Sequence, residues 1–131
     1  MQSRTMVEPT SKATVMAFAE LAFAQRNPRE AAEHYMREDY VQHNPQLPTG
    51  REAFVQFVAG LLEQAPETTY EIKRVIAEGE YVVFHAHLKM RPDDPGRAVA
   101  DIFRVQDGRI AEHWDVIQPV PEASVNGNTM F

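Results

Sequence analysis

The sequence predicts an α+β domain, with three helices in the first half and antiparallel strands in the second. Apolar residues recur at three- and four-residue spacing from Val15 to Leu62, and the period switches to two after Pro66. Helices precede strands instead of alternating with them, which separates this pattern from a parallel α/β arrangement. The chain has 131 residues, 44% hydrophobic and 24% charged, which suits one domain around one core.

Residues 1–10 are polar and aperiodic and read as a flexible arm, without the apolar stretch of a secretory leader. The domain proper is expected over residues 11–118. Ser11 caps a first helix whose stripe is Val15, Phe18, Ala19, Ala22 and Phe23, and which stops near Arg26. Asn27, Pro28 and Glu30 then supply a cap, a first-turn proline and a capping-box partner for a second helix reaching about Met36. A short extended piece, Tyr40 to Gln42, runs into a loop broken by Pro45, Pro48 and Gly50. The third helix is Arg51 to Gln64, with Pro66 just beyond it. Four strands follow: Thr68 to Glu78, Tyr81 to Met90, Ala98 to Gln106 and Arg109 to Gln118. Residues 119–131 form a Pro/Asn/Gly-rich tail, and no internal repeat or linker divides the chain.

Composition removes several functions. With 13 basic against 19 acidic residues, a net charge of −6 and no basic cluster, the chain is not built for nucleic acid or an anionic membrane. The absence of cysteine excludes disulfides, thiolate metal sites and a cysteine nucleophile. Ser3, Ser11 and Ser124 lie outside any nucleophile elbow, and no glycine-rich phosphate loop is present. No apolar run approaches the ~20 residues of a membrane span. A soluble cytoplasmic protein is expected.

What remains is a set of histidines and aspartates in unusual places. His85 and His87 share one face of their strand: either they face solvent behind an apolar core, or they line the concave side of a curved sheet. Asp101 interrupts an apolar strand, where an unpaired carboxylate is costly. A two-residue Asp107-Gly108 turn would set Asp101 opposite Trp114, whereas a three-residue loop from Gln106 would set it opposite His113. The second register is preferred, because it gathers Asp101, His113 and Asp115 on one face and leaves Arg104 near Glu112 on the other. Trp114 is expected in the core. His43 ends the first extended piece, and Asn44 before Pro45 is a turn device.

The segment Tyr40-Val41-Gln42-His43-Asn44-Pro45, the helix opening at Gly50-Arg51-Glu52, and the block Asp101 to Val116 resemble the SnoaL-like polyketide cyclases of the nuclear-transport-factor-2-like superfamily. The likeness runs from about Ser11 to Gln118, and the closing Asn126 to Phe131 is similar to tails of a subgroup of predicted aldol-condensation enzymes. The resemblance implies a cone-shaped, curved antiparallel sheet wrapped on three N-terminal helices (a cystatin-like fold), an apolar pocket between them, and a homodimer. It also implies a cofactor-free acid/base enzyme of lyase or isomerase type, acting on a small apolar carbonyl compound through an enolate.

In that reading His43, Asp101, His113 and Asp115 are the catalytic candidates. His43 serves as the base and Asp101 as the donor to the enolate oxygen, facing one cavity. His85, Asn44, Phe103, Ile117 and His87 would line the substrate site. No metal and no cofactor are expected. Two alternatives stay open: a pocket that binds a small molecule without turning it over, and a divalent-metal site of His43, His85, His113 and an aspartate.

Overall fold

In a computed structural model, which describes residues 9–131, the chain forms three helices and one five-stranded sheet. The arm expected over residues 1–10 lies mostly outside the described residues. Helix α1 (Ser11–Ala19) continues into a π-helical turn (Glu20–Ala24), followed by α2 (Pro28–Tyr35), β1 (Met36–Gln42) and α3 (Arg51–Gln64). The remaining strands are β2 (Thr69–Glu78), β3 (Tyr81–Lys89), β4 (Arg97–Gln106) and β5 (Arg109–Pro119).

Local chemistry accounts for the helix ends. Thr10, and not Ser11, caps α1 by accepting from the Ala13 amide at 3.1 Å. Asn27 caps α2 as expected: its oxygen accepts from the Glu30 amide at 3.2 Å, and its NH₂ donates to the Glu30 carboxylate at 2.9 Å.

The strand order is β1-β5-β4-β3-β2. The pairs among β2 to β5 are antiparallel, but β1 runs parallel to β5. This corrects the wholly antiparallel expectation: α3 and three strands separate β1 from β5 in sequence, so their pairing is not a local hairpin.

The hairpin register also differs from both sequence alternatives. Asp107 and Gly108 form a two-residue turn, both with positive φ (53° and 75°), and Gln106 pairs with Arg109. A bulge at Ala111 then shifts the ladder, so Asp101 pairs with Asp115 and Phe103 with His113. Asp101, His113 and Asp115 therefore do share a face, by a bulge and not by a longer loop.

One face of the sheet packs on the helices. Phe84, Phe103 and Val105 meet Val15 and Phe18 of α1 in a core that Met36, Val55 and Ile110 extend. The other face carries Tyr81, His85, His87, Trp114 and Val116, the strand neighbours of the buried set.

Candidate functional site

Alternation in β4 places Val99, Asp101, Phe103 and Val105 on the helix side of the sheet. In β5 the bulge lets Ile110 and His113 face that side although they are three residues apart, and Asp115 follows His113. Parallel pairing of Gln42 with His113 carries the pattern into β1, so Tyr40, Gln42 and Asn44 line the same space. Together with α3 these strands enclose a cavity of about 360 Å³. Its walls are mainly apolar, from Phe18, Phe54, Phe57, Leu61, Val99 and Ile117, with polar side chains that include Gln42, Asp101, His113 and Asp115. That volume lies at the small end of ligand pockets.

Five hydrogen-bonded side chains run across this wall. Tyr70 donates its hydroxyl to Asp101 Oδ2. Asp101 Oδ1 meets His113 Nε2 at 2.8 Å, and His113 Nδ1 meets Gln42 Oε1 at 2.8 Å. Gln42 Nε2 then donates to the Tyr40 hydroxyl at 2.9 Å. Asp101 and His113 are each only 8% exposed, so neither could stand there without a partner. Burial pushes both tyrosine hydroxyls well above their ordinary range, and the Asp101 carboxylate adds to this. Both remain O–H donors at neutral pH.

Asp115 stands apart from this row. Its two oxygens accept from the Asn44 NH₂ at 3.0 and 2.9 Å, and no cation pairs with it among the described residues. Asn44 fills its turn role at the same time: its Oδ1 accepts from the Gln46 amide at 2.9 Å, which aims the NH₂ at Asp115.

One ligand-type atom from each of Asp101, His113 and Asp115 lies within 4.8 Å of the others. The carboxylates, however, are already met by the hydrogens of Tyr70, Asn44 and His113. The same three side chains are thus each hydrogen-bonded as they stand.

The sequence candidates divide cleanly. Asp101, His113, Asp115, Asn44, Phe103 and Ile117 line the cavity. His43 does not share it with Asp101. Odd-numbered Val41 and His43 fall on the outer face of β1, where His43 Nε2 contacts Glu112 at 2.5 Å and the ring stacks on Trp114 at 4.8 Å. Glu112 is shared with Arg104, 2.9 Å away, and these two partners hold its carboxyl below the ordinary range. Trp114 is correspondingly half-buried outside the core.

His85 and His87 are also on the outer face, stacked against Phe131 of the tail, while their neighbours Phe84, Ala86 and Leu88 point inward. Sequence reasoning missed Tyr70, Gln42 and Tyr40. The alternation Tyr40-Gln42-Asn44, anchored by a large buried aromatic, was the available signal for the last two.

A model of the SnoaL-like domain family matches residues 15–113. The chain belongs to the SnoaL-like family. No curated protein sequence matches it. Among solved structures, the SnoaL-like domain is similar to a protein from Jannaschia sp. CCS1 assigned to the SnoaL-like polyketide cyclases. That match has 25% identity and a TM-score of 0.69, and covers 90% of this chain and 92% of that one. TsrD from Streptomyces laurentii is similar at 20% identity and a TM-score of 0.68, covering 86% and 92%. An uncharacterised cystatin-fold protein from Novosphingobium aromaticivorans gives 18% and 0.70, covering 82% and 98%. These likenesses agree with the SnoaL-like fold of helices on a curved, unclosed sheet.

Proposed function

We propose that the cavity is an acid/base site that enolises a small, largely apolar carbonyl compound and closes a carbon–carbon bond by aldol addition. The observation that carries this is a pair of cross-strand carboxylates on one apolar wall, one tied to a histidine and one without a salt-bridge partner among the described residues. Two such groups with different partners suit opposite roles, one accepting a proton and one donating. Asp115, aimed by Asn44, takes the proton from the carbon next to the carbonyl. This is the base role that sequence reasoning expected of His43.

The C–H electron pair becomes the enolate double bond, and the charge moves to oxygen. There the proton held by Asp101 and His113, with the Tyr70 hydroxyl beside it, neutralises it in a largely dry site. The enol carbon then attacks a second carbonyl of the same molecule, and the new alkoxide takes up the proton while the enol oxygen returns its own. Atoms and charge balance with no further reagent. The SnoaL-like polyketide cyclase assignment of the Jannaschia protein supports this class of reaction.

The test is deuterium exchange into a panel of 1,3-dicarbonyl compounds, followed by NMR. Wild type should accelerate exchange, Asp115→Asn should lose about 10²–10⁴-fold of that acceleration, and His43→Ala should retain it. Binding without accelerated exchange would instead make this a pocket that only holds its ligand. The same reading includes a homodimer, because the outer sheet face leaves Ile76, Tyr81 and Val116 exposed.

A further inference from the structure

We infer that Gln42 fixes the tautomer of His113 and so leaves a single mobile proton on the line between His113 and Asp101. Amide oxygen and nitrogen cannot be told apart by shape and must be assigned from their neighbours. Here a neighbour decides. The main-chain amide of Asn44 can only donate, and it lies 3.1 Å from Gln42 Oε1, so that atom is the oxygen. The same oxygen is 2.8 Å from His113 Nδ1. Two acceptors cannot face each other at that distance, so Nδ1 carries a hydrogen. The remaining amide atom agrees, since Gln42 Nε2 has the Tyr40 hydroxyl oxygen before it at 2.9 Å.

The other end of the row is pinned as well. Tyr70 donates to Asp101 Oδ2, which leaves Oδ1 facing His113 Nε2 at 2.8 Å. One proton on that line makes either a carboxylate with an imidazolium or a carboxylic acid with a neutral imidazole. Both forms keep the hydrogen bond and both are neutral as a pair. That neutrality also leaves no net like charge opposite Asp115, the cross-strand partner of Asp101.

The titratable side chains that line the cavity with His113 include Asp101 from β4, Asp115 from β5, Tyr70 from β2 and Tyr40 from β1. The helices contribute apolar residues, and Arg97 is the cavity's one basic side chain besides His113 among the described residues. Gln42 is thus a positioning residue. The catalytic meaning of the mobile proton rests on the proposed function, but the tautomer itself does not.

The experiment is a long-range proton–nitrogen NMR titration of the full chain labelled at histidine, with the His113 signals identified by their loss in His113→Gln. In wild type, Nδ1 should carry a hydrogen wherever the fold is intact, whichever form the Nε2 end takes. Gln42→Glu keeps the acceptor and adds a negative charge that favours the imidazolium, so Nδ1 should still be protonated. Gln42→Leu removes the acceptor and should move the neutral form to Nε2–H.

A wild-type neutral ring with bare Nδ1, or a Gln42→Leu ring titrating like wild type, would overturn the assignment. Should Gln42→Leu fail to fold, wild type and Gln42→Glu alone decide. A correct tautomer without accelerated deuterium exchange in wild type would sink the proposed function and leave this inference standing.

Discussion

Asp101 and Asp115 stand directly opposite one another across β4 and β5, a placement in which like charges repel. Each is relieved differently: Asp101 by His113 and Tyr70, and Asp115 by the Asn44 amide. Removing the Tyr70 hydroxyl has a consequence with a definite sign. Its ionisation in the folded state is raised above the ordinary 10.0, so its contribution is full below pH 10 and is lost as pH rises through the folded value. Urea denaturation across about pH 8 to about pH 11 should therefore show falling stability above pH 10. The fall should be shallower in Tyr70→Phe, and an equal slope in both proteins would contradict the placement of Tyr70. Asp101 was legible in the sequence because an aspartate in an apolar strand needs a partner. His43 was misplaced because the facing of β1 is set by its parallel pairing with β5, a contact about seventy residues away in sequence that alternation around the exposed Val41 concealed.

At the scale of elements, the strand and helix boundaries were mostly readable, because periodicity and caps are local. The α3 limits match, and the β2 to β5 limits shift by a residue at most. The bulge at Ala111 was not readable: an alanine carries no turn chemistry, and only the ladder on both sides requires an extra residue there. The loop between β3 and β4 holds a stronger constraint. Gly96 has φ +77°, and a Cβ there would collide with the Leu88 carbonyl oxygen and lie 2.9 Å from His87 Nε2. Backbone cannot move aside cheaply, so Gly96→Ala should cost about 1–3 kcal/mol. Chemical denaturation measures this, and a loss within error of zero would show that the loop relaxes freely.

The whole molecule divides its chemistry between two faces of one sheet. The inner face joins Asp101, His113 and Asp115 to an apolar cavity, and the outer face carries the His43–Glu112–Arg104 group beneath Trp114. No helix among the described residues is long and apolar enough to cross a membrane. With the outer face left partly apolar, sedimentation at micromolar concentration should give a dimer, and a monomer would count against that face as an interface. Because the carboxylates are met by donor hydrogens, a chelator should leave the melting temperature unchanged. A stoichiometric, chelator-reversible rise with zinc or manganese would contradict the acid/base reading.

The most direct measurement is a crystal structure with an enolisable 1,3-dicarbonyl compound bound. The account predicts a carbonyl oxygen within about 2.6–3.2 Å of the Asp101, His113 and Tyr70 group, with the acidic carbon against Asp115. A ligand seated instead beside His43 and Trp114 on the outer face, or in the cavity with its carbonyl oxygens turned away from that group, would contradict it.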